Sequence, residues 1–270
     1  MAGEEKGRGA EHAREMTLGE HLEELRRRVV YALIGLAAGL AVGFVFGFDL
    51  LQLLKDVYLR VVERLGIEAD LVILEVSGGL TLYLKVALYA GIVVASPWLF
   101  LQTWLFVSEG LYQRERRAVL IAAAACCVLF LAGAAFFLLL VAENILYYLL
   151  LMVRWTGAEP TITFHSHVTF MTRMMFVFGV GFQTPLLIYL LAALGLVSVQ
   201  RLNHYRRHVI VVILILAAVL TPPDPFSQMA LAVPMWILFE FGVLLAYVAH
   251  RRKRRAAAEG EQAGSGTDER

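Results

Sequence analysis

Apolar runs long enough to cross a lipid bilayer constrain this chain more than any other feature. A helix of about 20 apolar residues spans the roughly 30 Å hydrocarbon core. Four runs meet that length: 29–48, about 82–107, 118–142 and about 174–197. A fifth, 209–220, is apolar for 12 residues, or about 18 Å of helix. Thr221-Pro222-Pro223-Asp224-Pro225 then breaks the helix, since proline lacks an N–H and obstructs the preceding turn. A sixth run follows over 229–248. The fifth run reads as a short helix that thins the bilayer locally or shelters among its neighbours. A re-entrant segment is the alternative.

Hydrophobic residues make up 59% of the chain and charged residues 17%. Soluble domains are less apolar and more charged, and the same numbers exclude a disordered or collagen-like chain. Cys126 and Cys127 are adjacent and cannot form a disulfide framework. The first 16 residues are polar and the first apolar run is too long for a signal-peptide core, so no cleavable signal is expected. The expected organisation is a flexible extension over 1–16, one membrane domain over 17–250, and a basic, then disordered tail over 251–270.

Positive charge orients the bundle. Six spans put both termini on one side. The N-terminal segment, the second loop, the fourth loop and the C-terminal segment carry six, three, three and six of the 24 Lys and Arg residues. The positive-inside rule places that side in the cytoplasm. On the outer side, Leu50, Leu51, Leu54, Val57, Tyr58, Val61, Val62 and Leu65 recur at helical spacing, which predicts an amphipathic helix lying on the outer interface.

The stretch TLGEHLEELRRR begins with Thr17 and Glu20 in capping-box spacing, so a helix starts there and runs into the first span. Leu18, Leu22, Leu25 and Val29 share one face; Glu20, Glu23, Glu24, Arg26, Arg27 and Arg28 share the other. One reading is a solvated face with Glu–Arg pairs four residues apart. The other is a carboxylate site for a cation at the water–lipid boundary. In the second inner loop Glu115 stands among Arg114, Arg116 and Arg117, either as a local salt bridge or as a second acceptor beside Glu24. Arginine's planar fork fits a carboxylate bidentately.

Polar groups inside spans are costly against lipid and should face protein. Gln183 reads as inter-helix glue, while Glu240 fits a functional or a structural role equally. Gly35, Gly39, Gly43 and Gly47, spaced by four, form a small-residue ridge for close helix packing. Pro97, Pro185 and Pro234 should kink their helices. Neither a catalytic motif nor a P-loop or CxxC pair occurs, so no cofactor, metal or enzymatic activity is expected. His165 and His167 have no third ligand nearby in sequence. The run 251–255 reads as an anchor at anionic headgroups, not as a nucleic-acid site. A secondary transporter using Glu240, Gln183 and Lys85 is the main rival reading, though no internal repeat supports it.

HLEELRRR, LYQRERR, FGVGFQTPL and LTPPDPFSQMALAVPMWILFEFGVLL, in register with the six spans, carry a resemblance to TatC, the multi-spanning subunit of the twin-arginine protein translocase. The resemblance covers about Met16–His250. It implies an all-α, glove-shaped, concave bundle with short fifth and sixth helices and outer-side caps. It implies binding of signal peptides bearing an Arg-Arg pair, export of folded cargo on the proton-motive force, and a cell-membrane location. By the same resemblance Glu24 and Glu115 form the twin-arginine site with Arg26 and Phe106 beside it. Thr221 and Gln228 match a docking region for single-span TatA/TatB-type subunits, and further copies of the chain are expected in the complex. Pro222, Pro223 and Asp224 are structural. Gln183 stands where many relatives carry glutamate, which leaves a hydrogen-bonding role there.

Overall fold

The computed structural model describes residues 18–68, 70–109, 116–158, 160–193, 197 and 199–265. Among them, α1 (Leu18–Leu65) is followed by the two-residue β1 (Leu71–Val72), α2 (Gly78–Glu109) and α3 (Arg116–Phe136). A π-helical turn (Phe137–Val141) joins α3 to α4 (Ala142–Trp155). Then come β2 (Ile162–Thr163), α5 (Phe164–Gly181), α6 (Thr184–Ala193), α7 (Val199–Leu220) and α8 (Pro225–Ser265). Six stretches are long and apolar enough to cross a membrane: Gly19–Leu65, Gly78–Phe106, Leu120–Trp155, Phe164–Ala192, Arg201–Leu220 and Pro225–Val248. They coincide in number and order with the apolar runs of the sequence. Large apolar side chains such as Leu33, Val45, Ile121 and Leu139 point outward, as they do where the solvent is hydrocarbon.

The side holding the start of α1 and the end of α8 is here the basic face; the opposite side is the far face. Near the far face α1 departs from expectation. The amphipathic segment does not lie on the interface. It continues α1 without a break and turns its apolar stripe into the core, where Leu54, Val57, Tyr58 and Val61 are fully buried with Ile145 and Leu150 of α4 and Met171 of α5. The stripe predicts that a face is covered; what covers it is set by tertiary packing. Polar ties fasten this cap: Arg60 to Glu143, the Arg64 guanidinium 4.6 Å from the Tyr147 ring centre, Arg154 to the Leu65 carbonyl at 3.1 Å, and the parallel pairing of Leu71 with Ile162 and Val72 with Thr163.

The glycine ridge of α1 meets α2. A Cβ on Gly39 would lie 2.7 Å from the Gly91 carbonyl oxygen, and one on Gly43 would lie 2.4 Å from that of Ala87. The two helices therefore approach backbone to backbone. Pro97 sits within α2, and its missing N–H leaves the Val93 carbonyl without a helical partner. The Ser96 hydroxyl donates to that oxygen at 2.7 Å. In the fourth span Pro185 follows a break at Phe182–Gln183 between α5 and α6. Pro234 lies inside α8 without ending it.

The 12-residue apolar run is the far-face half of α7. The whole helix has 22 residues and reaches about 33 Å, with no re-entrant break. It packs on α8, which packs in turn on α6. Between α7 and α8, Asp224 Oδ1 accepts from the Ser227 amide at 2.7 Å, an N-cap with Pro225 at the first helical position. α8 runs through the basic segment to Ser265, where an unfolded tail is expected from 259 onward; the Ala- and Glu-containing sequence there favours helix.

Candidate functional site

The first turns of α1 invert the polarity of a helix in water. Leu22, Leu25 and Val29 are exposed, whereas Glu24 is 7% exposed. The reading of this acidic face as solvated therefore fails for Glu24. A membrane-protein helix turns its leucines to lipid and its polar side chains to protein, which is what this end of α1 does. The Glu24 carboxylate pairs with Arg27 one turn on and with Arg28 four residues on. The two guanidiniums differ: the Arg28 side chain is 15% exposed and that of Arg27 is 55% exposed. Arg26 reaches the exposed Glu23 at 3.8 Å, a surface pair of little energetic weight.

α2 supplies the other wall. Its antiparallel register with α1 is fixed at Gly43–Gly91 and Gly35–Trp98, and Trp98 Nε1 donates to the Tyr31 carbonyl at 2.8 Å. The same register brings Phe106 to His21, with ring centres 4.7 Å apart. It also places Gln102 at the level of Arg28. Gln102 is 5% exposed and its Oε1 has no hydrogen-bond partner. Among the described residues this amide carbonyl is buried without a partner. Sequence reasoning passed over Gln102; its signal was a lone amide inside an apolar run. Glu115 and the expected cap Thr17 lie outside the described residues.

The remaining polar residues go to separate partners. Gln183 Nε2 donates to the Cys126 carbonyl at 2.8 Å, joining the α5–α6 break to α3. Glu240 pairs with Arg206 of α7 at 2.9 Å. Lys85 donates to Thr169 Oγ1 at 2.8 Å and lies 3.3 Å from His165 Nε2. These three residues form no common midplane site, so the transporter reading loses its proposed centre. His167 is buried with Nε2 2.9 Å from the Leu54 carbonyl, apart from His165. Thr221 Oγ1 donates to the Ala217 carbonyl at 2.8 Å, and Gln228 Nε2 to the Leu214 carbonyl at 3.0 Å. Both side chains therefore address the far-face half of α7. A cavity of about 210 Å³ lies at the far face between the β1–α2 connection and the start of α5, lined by Ile73, Leu74, Glu75, Thr81, Thr163 and His165 among others.

The family model described as "TatC: Sec-independent protein translocase protein (TatC)" matches residues 20–234. The chain is 32% identical over 251 residues to the Sec-independent protein translocase protein TatC of Koribacter versatilis, covering 92% of each chain. It is 30% identical to TatCy of Bacillus subtilis, with 93% of this chain and 97% of the relative covered. A crystal structure described as the twin arginine translocase receptor TatC superposes with a TM-score of 0.76 at 28% identity, covering 86% of this chain and 100% of the other.

Proposed function

The chain belongs to the TatC family of Sec-independent protein translocase proteins, and from that premise we propose that it is the receptor for twin-arginine signal peptides. It is a multi-pass membrane protein of a translocase family. In our reading both termini lie in the cytoplasm and the Glu24 end of α1 meets leader peptides there. Folded cargo is then passed outward on the proton-motive force.

One observation carries this reading: a buried carboxylate at the basic face, already paired with arginine. A site that holds guanidinium groups internally has the geometry to hold them from a ligand. A carboxylate offers about four lone-pair positions, so it accepts more than one fork. Arg27 is more exposed than Arg28 and is the one an incoming arginine displaces. Arg28 stays and keeps the carboxylate charged and oriented. This exchange answers the objection that neighbouring arginines repel a cationic ligand, since the displaced side chain swings into water. Glu115 takes the second guanidinium of the pair. Phe106, stacked on His21, and the Gln102 carbonyl line the entrance to the apolar face of α2. Arg26, on the exposed side, sets the approach. Single-span TatA/TatB-type subunits dock near Thr221 and Gln228, and the chain works as several copies in one complex.

Titration of the full-length protein in detergent with a fluorescent twin-arginine peptide tests the site. Glu24→Gln keeps the shape and removes the charge. Losing one partner of a desolvated ion pair costs about 2–5 kcal/mol, so the Kd should rise by about thirtyfold or more, and Glu115→Gln should act in the same direction. Unchanged affinity in both variants sinks the assignment.

A further inference from the structure

Arg173 is a charged side chain inside a membrane-crossing stretch that the receptor function does not use. It lies nine residues into α5, within the span Phe164–Ala192, and is exposed. At 1.5 Å per residue it sits about 14 Å along the helix from the far-face end. One guanidinium nitrogen donates to the Val219 carbonyl at 3.1 Å. Val219 is the penultimate residue of α7, so this oxygen belongs to the last turn, whose carbonyls lack helical partners and carry the negative end of the dipole. Among the described residues no carboxylate lies within ion-pair distance of Arg173. An arginine has five N–H donors, and most of those on Arg173 are unspent.

The surroundings are apolar and open. α7 packs on α8 and barely touches α5, so Arg173 bridges a seam rather than filling a packed interface. Phe176 and Val180 share its stripe on α5, and Val212, Leu216 and Val219 form a stripe on α7; all five are exposed. Two apolar walls with one cation between them match a transmembrane helix bearing one acid. An uncompensated cation at that depth is costly, and a carboxylate arriving from a partner helix removes that cost. Thr221 and Gln228 address the same end of α7.

We infer that Arg173 is the recognition residue of the partner-docking surface, pairing with a carboxylate in the far-face third of a single-span helix seated between α5 and α7. This rests on the reading that such subunits dock beside Thr221 and Gln228, and it supplies the charge that selects them.

The test uses the full chain in nanodiscs of phosphatidylcholine and two synthetic Leu/Ala single-span helices. The helices differ at one position, Glu or Gln, about 14 Å from the far-face end. The Glu helix should bind wild type at least about tenfold more tightly. Arg173→Gln should remove that preference and leave the Gln helix unaffected, while Arg173→Lys should keep part of it. Equal binding of both helices to wild type, or a preference that survives in Arg173→Gln, overturns the assignment and leaves the docking surface standing. A preference abolished by replacing phosphatidylcholine with anionic phosphatidylglycerol assigns Arg173 to anionic headgroups and overturns it as well. Failure of both helices to bind wild type overturns the docking reading together with it.

Discussion

Glu24 and Glu240 are both glutamates on membrane-crossing helices, and their surroundings separate them. Glu24 pairs with Arg27 and Arg28 of its own helix. These pairs hold a charged group in place near the start of α1. Glu240 reaches across to Arg206 on α7, and the side chains are 28% and 46% exposed. That pair ties α8 to a helix with little other support, which favours the structural reading of Glu240. Glu240→Gln should therefore lower the thermal unfolding midpoint in detergent, and Arg206→Gln should do the same. The double variant should lose less than the sum of the two, with a coupling of about 0.5–3 kcal/mol as for groups in contact. Strict additivity would show that the pair contributes no stability. At this scale the sequence was partly legible. It singled out both glutamates as acids in costly places, but exposure and partner are tertiary properties that spacing alone does not carry.

At the scale of elements, the contact between α1 and α2 is the closest backbone approach at a glycine ridge among the described residues. A Cβ at Gly43 would meet the Ala87 carbonyl at 2.4 Å and the Gly91 amide nitrogen at 2.5 Å, and neither backbone atom can rotate away. At Gly47 the nearest atoms are the Tyr83 ring at 3.1 Å and the Ala87 methyl at 3.3 Å, and at Gly19 nothing lies within 4 Å. Alanine substitutions should follow that order. Gly43→Ala should cost about 1–3 kcal/mol, as overpacking does. Gly47→Ala should cost less and Gly19→Ala close to nothing, measured as unfolding midpoints of the three variants in one detergent. A flat series would mean that the helices separate without penalty. The ridge itself was legible, because four glycines at a spacing of four have few other uses in a span. Its partner was not, since nothing on α1 says which helix lies opposite. The amphipathic end of α1 failed for a related reason. A stripe at helical spacing is the same signal whether it rests on lipid or on protein, and here α4 and α5 cover it. The π-helical turn at Phe137–Val141 leaves no mark in the apolar pattern, although Asn144 Nδ2, donating to the Leu140 carbonyl at 2.8 Å, shows how an amide supports the widened turn.

For the whole molecule, the proposed receptor role depends on which way the chain crosses the membrane. The far-face cations are largely engaged with the protein. Arg60 pairs with Glu143, Arg64 lies over Tyr147, Arg154 caps the end of α1, and Lys85 is held by Thr169. They lock the cap, so they weigh less in orienting the chain than the basic runs on the opposite face, which sit beside span ends where the positive-inside bias acts. The six spans and this asymmetry were legible because length and charge are properties of the chain itself, whereas the buried Gln102 and the seam at Arg173 arise from the packing of helices far apart in sequence. A labelling experiment fixes the orientation. With Cys126 and Cys127 replaced by serine, Val76→Cys places a thiol on the fully exposed β1–α2 connection, and Arg251→Cys places one at an exposed position of α8 on the basic face. In spheroplasts a membrane-impermeant maleimide should label the first directly and the second only after the membrane is opened. The opposite pattern would put Glu24 on the outside, away from the compartment where leader peptides are made, and the receptor function would fall with it whatever the affinity of the site.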